Sequence, residues 1–272
     1  MSNFFKTIGL LGLLLFCFIY SNETIAVIKE QDEIMIKIKE NYDNYNILAK
    51  DSIINSDTII PGINGRKVNI EKSYDTMKKI GIYNENYYVY DIVVPKNSLK
   101  NNKDKYIISG NKSIDEISLV FIVDNIENIN QILNILNKEQ VNAYFFVDSN
   151  FIKIDNTYEF KNNRLSYYDN NYDDLILNNR IINNRYNQYN KFCYFENKNS
   201  KKLNICKNNG FYSFIPNIVI KDNMYNKIRK NIKNGSIIAI YTSNIDELNL
   251  SIKYIKSKGY NIVLLDEIVD ET

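Results

Sequence analysis

The stretch from Ile117 to Phe151, ISLVFIVDNIENINQILNILNKEQVNAYFFVDSNF, reads as strand, helix, strand, and it narrows the choice of fold more than any other part of the chain. Ser118–Val123 is a short apolar, β-branched run, the pattern of a strand buried on both faces. Asp124 and Asn125 offer a helix N-cap, with Glu127 in the first turn, where the helix dipole favours an anion. Ile126, Ile129, Leu133 and Leu136 recur at three- and four-residue steps and form one apolar helix stripe. Val141–Val147 is a second apolar strand. A βαβ unit of this kind implies a parallel sheet with a right-handed crossover. The pattern returns near the C-terminus. Ser236–Tyr241 (SIIAIY) is a strand, and Ser243 or Asn244 caps a helix carrying Ile245, Leu248, Ile252 and Ile255 on one side. Lys256 and Lys258 sit in its last turn, Gly259 supplies a left-handed stop, and Ile262–Leu265 is the next strand.

With 272 residues the chain has room for one large domain and a smaller one. Residues 1–26 read as an export segment. Lys6 provides a weak positive start, and Ile8–Tyr20 (IGLLGLLLFCFIY) is continuously apolar but short for a full membrane span. Thr24 and Ala26 suit a cleavage site, yet Glu23 and the apolar run Ile25–Ile28 argue against one. An uncleaved signal anchor is therefore expected, with the N-terminus inside and the rest of the chain on the extracytoplasmic side of the cell membrane; a cleaved segment would leave the protein secreted. Cys17 follows Phe16, where a lipoprotein site requires a small residue, so lipidation is not expected. The 34 basic and 32 acidic residues are interspersed, which argues against a nucleic-acid partner. The chain has no His, so no imidazole is available as a general base or a metal ligand.

Residues 27–116 read as a small α+β region. Asp32–Ile54 is expected to be helical, Ile59–Gly65 a turn, Asn69–Ile80 a helix stopped by Gly81, and Tyr87–Val94 a strand ended by Pro95. Tyr83, Tyr87, Tyr88 and Tyr90 suit either a sugar-stacking surface or the inner face of a local core, and a run like this is more often core. Residues 148–191 are dense in Asn, Tyr and Asp, with one helix expected near Tyr172–Ile182. A long irregular stretch between strands is where a functional site commonly sits. Cys193 and Cys206 lie outside the apolar segment; in an exported chain they suit a disulfide, the alternative being two buried thiols.

From Ile117 to Val269 the order of elements resembles the polysaccharide deacetylases with the NodB homology domain. In that family a strand ends in Thr-Phe-Asp-Asp-Gly; here Val120-Phe121-Ile122-Val123-Asp124-Asn125 stands in its place. The family's Ala-Thr-Phe-Phe-Val strand is matched by Ala143-Tyr144-Phe145-Phe146-Val147. Its Gly-Ser-Ile-Ile-Leu-Leu-His and Lys-Gly-Tyr segments are matched by Gly235–Tyr241 and Lys258-Gly259-Tyr260. The resemblance implies a distorted (β/α) barrel over 117–272, with the site at the C-terminal ends of its strands.

For catalysis the resemblance breaks down. The family holds a divalent metal with an Asp and two His, and uses a second Asp as base and a further His as acid. Here Asp124 is the candidate remnant of the acidic pair, and Val123 replaces its partner. The region expected to hold the His pair offers Ser166, Tyr167, Tyr168, Asp169 and Asn170. Tyr241 stands where the last His belongs, and the Arg-Pro-Pro-Tyr-Gly motif has no counterpart near Phe192–Glu196. The sequence therefore leads to a catalytically degenerate, membrane-anchored protein with no metal or other cofactor. It binds cell-wall glycan, or acts as an interaction domain, through Asp124, Asp148, Tyr167, Tyr168, Asp169 and Tyr241. The alternative is an active carbohydrate deacetylase whose divalent metal is held by carboxylates alone, drawn from Asp124, Asp148, Asp169, Asp173 and Asp174.

Overall fold

A computed structural model describes residues 26–154, 158–169, 172 and 174–272, together with Phe16 and Thr24. The apolar segment Ile8–Tyr20 lies outside the described residues except for Phe16. Among the described residues no helix is long and apolar enough to cross a membrane. The chain divides into two compact units. The smaller holds the residues up to Ala49 and Asn64–Val93, and the larger holds Lys50–Ile63 and everything from Val94 onward. The segments 50–63 and 94–116, assigned from the sequence to the region 27–116, thus belong with the larger unit. The first of them carries the antiparallel hairpin Ile53–Asn55 (β1) and Thr58–Ile60 (β2). Near the C-terminus, the Glu271 carboxylate accepts from Ser52 Oγ (2.7 Å), Gly62 N (3.1 Å) and Leu99 N (3.0 Å), binding both segments to the larger unit.

In the smaller unit, Asp32 caps helix Glu33–Asn41 (α1). The helix expected over Asp32–Ile54 stops there, passes through a 3-10 turn at Tyr42–Tyr45, and gives way to extended chain. A strand partner ends it. Asn46 Oδ1 accepts Val68 N (2.8 Å), and Ile47 exchanges two backbone bonds with Arg66 (both 2.8 Å) on strand Gly65–Val68 (β3). The reversal expected over 59–65 is accordingly confined to 61–64. Asn69 caps helix Ile70–Ile80 (α2), and Gly81 ends it in the left-handed region (φ 84°), which costs a glycine little. Tyr90–Val93 (β4) then pairs antiparallel with β3. Three of the four tyrosines belong to the local core, and Tyr87 is exposed: Tyr88 is buried, its ring centroid 4.9 Å from Tyr45, 6.3 Å from Tyr83 and 6.4 Å from Tyr90.

The larger unit is mixed α/β with parallel sheets. After Tyr106–Ile107 (β5) the chain runs through Glu116–Ile122 (β6), Ile129–Glu139 (α3), Tyr144–Val147 (β7), Ser149–Lys153 (α4) and Arg164–Tyr167 (β8). Leu175–Tyr186 (α5), Phe192–Tyr194 (β9), Ser200–Asn208 (α6), Tyr212–Phe214 (β10) and Ile218–Ile220 (β11) follow. Met224–Asn231 (α7), Ser236–Tyr241 (β12), Leu248–Ser257 (α8), Asn261–Val263 (β13) and Leu265–Ile268 (α9) complete it. One sheet has the order β11-β12-β6-β7-β8, all parallel, with β13 beside the start of β6; the other has the order β1-β2-β5-β10-β9.

Alternate side chains of a strand point to opposite faces. Val120 and Ile122 of β6, Tyr144 and Phe146 of β7, Phe192 and Tyr194 of β9, Phe214 of β10, and Ile237 and Ala239 of β12 form one buried cluster between the two sheets. The intervening residues, including Leu119, Phe121, Phe145, Val147, Leu165, Tyr167, Cys193, Ile238 and Ile240, join the buried stripes of α3, α7 and α8 in a second cluster. The two sheets thus enclose an interior and are wrapped by helices.

Two expected helix starts are displaced. The turn from Asp124 to Asn128 precedes α3, and Asp124 and Asn125 do not cap it. Asn125 N donates to Thr242 Oγ1 (2.9 Å) and Asn128 Nδ2 to the Thr242 carbonyl (2.7 Å), so the turn is tied to the end of β12. For the same reason Ser243 and Asn244 do not cap α8, because Ser243 gives both its donors to Asp124. The strand expected over 262–265 ends at Val263, and Leu265 opens α9; the helix near 172–182 is α5. At Gly235 (φ 76°) a Cβ would stand 2.4 Å from the Gly110 carbonyl oxygen, so this approach of β12 to the 109–110 turn requires glycine.

Cys193 of β9 and Cys206 of α6 form a disulfide across 13 residues, both fully buried. Closing a loop of this size restricts the unfolded chain and contributes about 3 kcal/mol. The double replacement Cys193→Ala/Cys206→Ala is expected to lower the urea-unfolding free energy by that amount. A loss below about 0.5 kcal/mol would show that the link contributes nothing through the unfolded state.

Candidate functional site

β6, β7, β8, β11 and β12 are parallel in one sheet, and the ring pairs Tyr144–Phe192 and Phe146–Tyr194 show β9 of the other sheet running the same way as β7, so their C-terminal ends lie at one end of the barrel, where sites in such folds are built. Continuing the interior alternation past each strand gives Asp124 after β6, Tyr168 after β8, Glu196 after β9 and Lys221 after β11, with Tyr241 closing β12. The side-chain contacts bear this out. Tyr241 Oη donates to Glu196 Oε2 (3.0 Å), and Lys221 Nζ donates to Glu196 Oε1 (2.5 Å). The same ammonium stands 4.9 Å from the centroid of the Tyr241 ring. Tyr168 packs edge-on against Tyr194 (centroids 5.1 Å apart), and both belong to the interior cluster that Tyr241 caps. The Tyr194 hydroxyl is buried beside Tyr241 without a hydrogen bond of ordinary geometry.

The electrostatics follow from these contacts. The Lys221 ammonium, helped by the Tyr241 hydroxyl, holds the Glu196 carboxyl below the usual carboxylate range against a smaller effect of burial. Glu196 in turn raises Lys221. Burial is the main cause that raises the phenols of Tyr241, Tyr168 and Tyr194. Near neutral pH Tyr241 is therefore a protonated donor facing a carboxylate.

Asp124 lies at the same end but is engaged with β12. Its Oδ1 accepts Ser243 N (2.8 Å) and lies 3.1 Å from Thr242 Oγ1; its Oδ2 accepts Ser243 Oγ (2.7 Å). Asp148 caps α4 by accepting Phe151 N (2.8 Å). Tyr167, one residue before Tyr168, points to the opposite face, is buried among the outer helices and donates to Asp169 Oδ2 (3.0 Å). Asp174 directly precedes α5, and Asp173 lies outside the described residues. Tyr168, Tyr241 and Asp124 therefore share the mouth, whereas Tyr167 and Asp148 are turned to other tasks. Among the described residues no three Asp, Glu or Cys side chains gather in a way that could hold a metal ion. Among the described residues, the Asp124 oxygens are already bonded and Glu196 is paired to an ammonium, so these two carboxylates do not present an open divalent-metal site. Sequence reading missed Glu196 and Lys221; the signal that marks them is a charged residue at an interior position one or two places beyond a short apolar strand.

The larger unit thus has an interior lined by two largely parallel sheets, helices outside, and a polar group at the C-terminal ends of its parallel strands. No protein-family model matches the chain. Among solved structures, it is similar to wild-type BA3943 of Bacillus anthracis, a CE4 family pseudoenzyme, with a TM-score of 0.64 and 22% identity over 88% of this chain and 96% of that one. A BA3943 mutant with restored enzymatic activity superposes with the same TM-score, at 21% identity over 88% and 99%. The Bc1960 peptidoglycan N-acetylglucosamine deacetylase matches with a TM-score of 0.51 and 19% identity, over 60% of this chain and 92% of that one. The fold is thus that of the CE4 polysaccharide deacetylases. The likeness to the pseudoenzyme reaches over more of the chain than the likeness to the deacetylase. In sequence the chain is 31% identical over 135 residues to the uncharacterised protein YlxY of Bacillus subtilis (strain 168); the match takes in 48% of this chain and 42% of that protein, less than half of its length.

A carboxyl whose folded value is lowered contributes stability above its unfolded value, near 4.3 for Glu, and loses it as pH falls through the folded value. The Glu196 side chain is 37% exposed and its Lys221 partner 52%, so solvent screening holds this contribution to about 0.5 kcal/mol. Glu196→Gln is expected to be less stable than the parent by that amount above about pH 5. The gap should close below about pH 4 in urea-unfolding series. A gap that stays constant with pH would show that the ionised pair is not its source.

Proposed function

We propose that this protein is a catalytically degenerate, polysaccharide-deacetylase-like protein that binds envelope glycan at the mouth of its barrel without cleaving it. The observation that carries this reading is the composition of the mouth. A hydrolytic site of this fold requires a polarising metal and a proton-transfer group tuned near neutrality. Here the surviving acid, Asp124, is bonded to Ser243 and Thr242. The place of the acid is taken by Tyr241, a phenol raised by burial, and the chain has no His. The likeness to a pseudoenzyme of the same fold supports the reading.

What remains suits a sugar. Tyr168 and Tyr241 offer aromatic surface for pyranose faces, and Ser243, Glu196 and the phenol hydroxyls offer hydrogen bonds. We place the protein outside the cytoplasmic membrane, anchored through residues 8–20, where cell-wall glycan is the available polymer; the name of the matched deacetylase points to peptidoglycan.

Two measurements on the purified protein test this. Incubation with peptidoglycan or chitooligosaccharide, with and without added Zn²⁺, Mg²⁺ or Mn²⁺, is expected to release no acetate. Co-sedimentation with peptidoglycan is expected to retain the protein, and Tyr168→Ala to weaken retention by up to about tenfold, the worth of one stacked ring. Acetate release that disappears in Asp124→Asn would establish a working carboxylate site and end the degenerate reading.

A further inference from the structure

Resting on the glycan-binding reading, we propose that the mouth recognises the free amine of an N-deacetylated amino sugar, and that the Lys221 side chain is a built-in occupant which such an amine displaces.

The groups at the mouth are those that select a cation. Glu196 presents one carboxylate oxygen to Lys221 Nζ at 2.5 Å and the other to Tyr241 Oη at 3.0 Å. The Tyr241 ring lies under the same ammonium, 4.9 Å from its centroid, which is cation–π distance. Tyr168 and Tyr194, stacked edge to face, complete an aromatic wall. The Tyr194 hydroxyl is buried beside Tyr241, so it supports the wall from within and does not face the opening. Carboxylate and ring face together form a receptor for an alkylammonium, and the structure holds one in it, supplied by the chain itself.

That ammonium is displaceable. Lys221 carries it on a flexible four-carbon stem, and its side chain is 52% exposed. No second carboxylate holds it: among the described pairings its ion pair is with Glu196. When Lys221 swings outward, Glu196 is left as an ionised carboxylate bonded to the Tyr241 hydroxyl at the rim of the aromatic interior. The ammonium of a glucosamine unit restores the ion pair and the ring contact that Lys221 gives up. An N-acetyl group offers a neutral amide and brings no cation to Glu196. The mouth therefore favours glycan from which the acetyl group has already been removed, a reader of the deacetylated state. Because ligand and Lys221 compete for one place, apparent affinity is reduced by the fraction of molecules in which Lys221 occupies it.

The test compares a glucosamine oligomer with its fully N-acetylated counterpart, at equal length and at a pH where the sugar amine is protonated, by calorimetric titration of the full protein. The glucosamine oligomer is expected to bind at least about tenfold tighter than the acetylated one. Lys221→Ala and Lys221→Met, the second keeping the stem's packing, should each tighten glucosamine binding by about threefold by removing a competitor held by about 0.5 kcal/mol. Glu196→Gln should weaken it by about tenfold or more. Neither Lys221 variant should change the affinity for the acetylated oligomer beyond about twofold, and unfolding curves of all three variants establish that each is folded. Equal or tighter binding of the acetylated oligomer overturns the amine proposal and leaves glycan binding standing. Weaker glucosamine binding in both Lys221 variants overturns it too, since Lys221 would then be a ligand contact. If neither oligomer binds, both the proposal and the glycan reading fall.

Discussion

The two-residue repeat of a β-strand is the constraint on which this structure depends. In the larger unit it divides every strand between an interior shared by the two sheets and an outer face covered by helices. The assignment carries past the last hydrogen-bonded residue. Glu196 faces inward because Tyr194 does, and Lys221 because Val219 does. Parallel strands then bring these extensions to one end, so residues nearly 120 positions apart in sequence, such as Asp124 and Ser243, become bonded neighbours. The mouth of the barrel is thus a direct consequence of how its core is packed.

Much of this was legible in the sequence. The two βαβ patterns placed β6, β7 and β12 and helices α3 and α8, because buried parallel strands are apolar throughout and their helices keep a clean stripe. The Asn69 cap and Gly81 stop were legible because both are local chemistry. What escaped was decided at long range. Asp124 looks like a cap in sequence, but its carboxylate is claimed by Ser243 and Thr242, and no local pattern reveals a partner on another strand. Tyr167 and Tyr168 are equivalent as composition. Only the register of β8 tells that one joins the outer core and the other the mouth. The helix expected past Asn41 failed because pairing between Ile47 and Arg66 outweighs a weak helical stripe.

The chemistry of the mouth differs from that of a hydrolase in kind. A general acid works best when its pKa lies near the operating pH. A phenol raised by burial and bonded to a carboxylate lies far above it. Tyr241 can orient and donate a hydrogen bond but is a poor proton shuttle. Asp124, with both oxygens bonded, fixes the turn after β6 to the turn after β12. Both residues are held in fixed hydrogen bonds at the ends of the strands.

The Glu196–Lys221 pair is weakly explained by stability. A half-exposed ion pair contributes at most about 0.5 kcal/mol after screening and side-chain ordering. The interior beneath it buries Phe146, Tyr194 and Phe214, whose removal would each cost several times as much. Holding a carboxylate ionised at the rim of an aromatic interior gains the fold little, yet it creates a strong local preference for a positive charge. Lys221 satisfies that preference from within the chain with a side chain that is free to leave. An arrangement that adds little to folding while staying selective for one class of charge has the properties of a binding site.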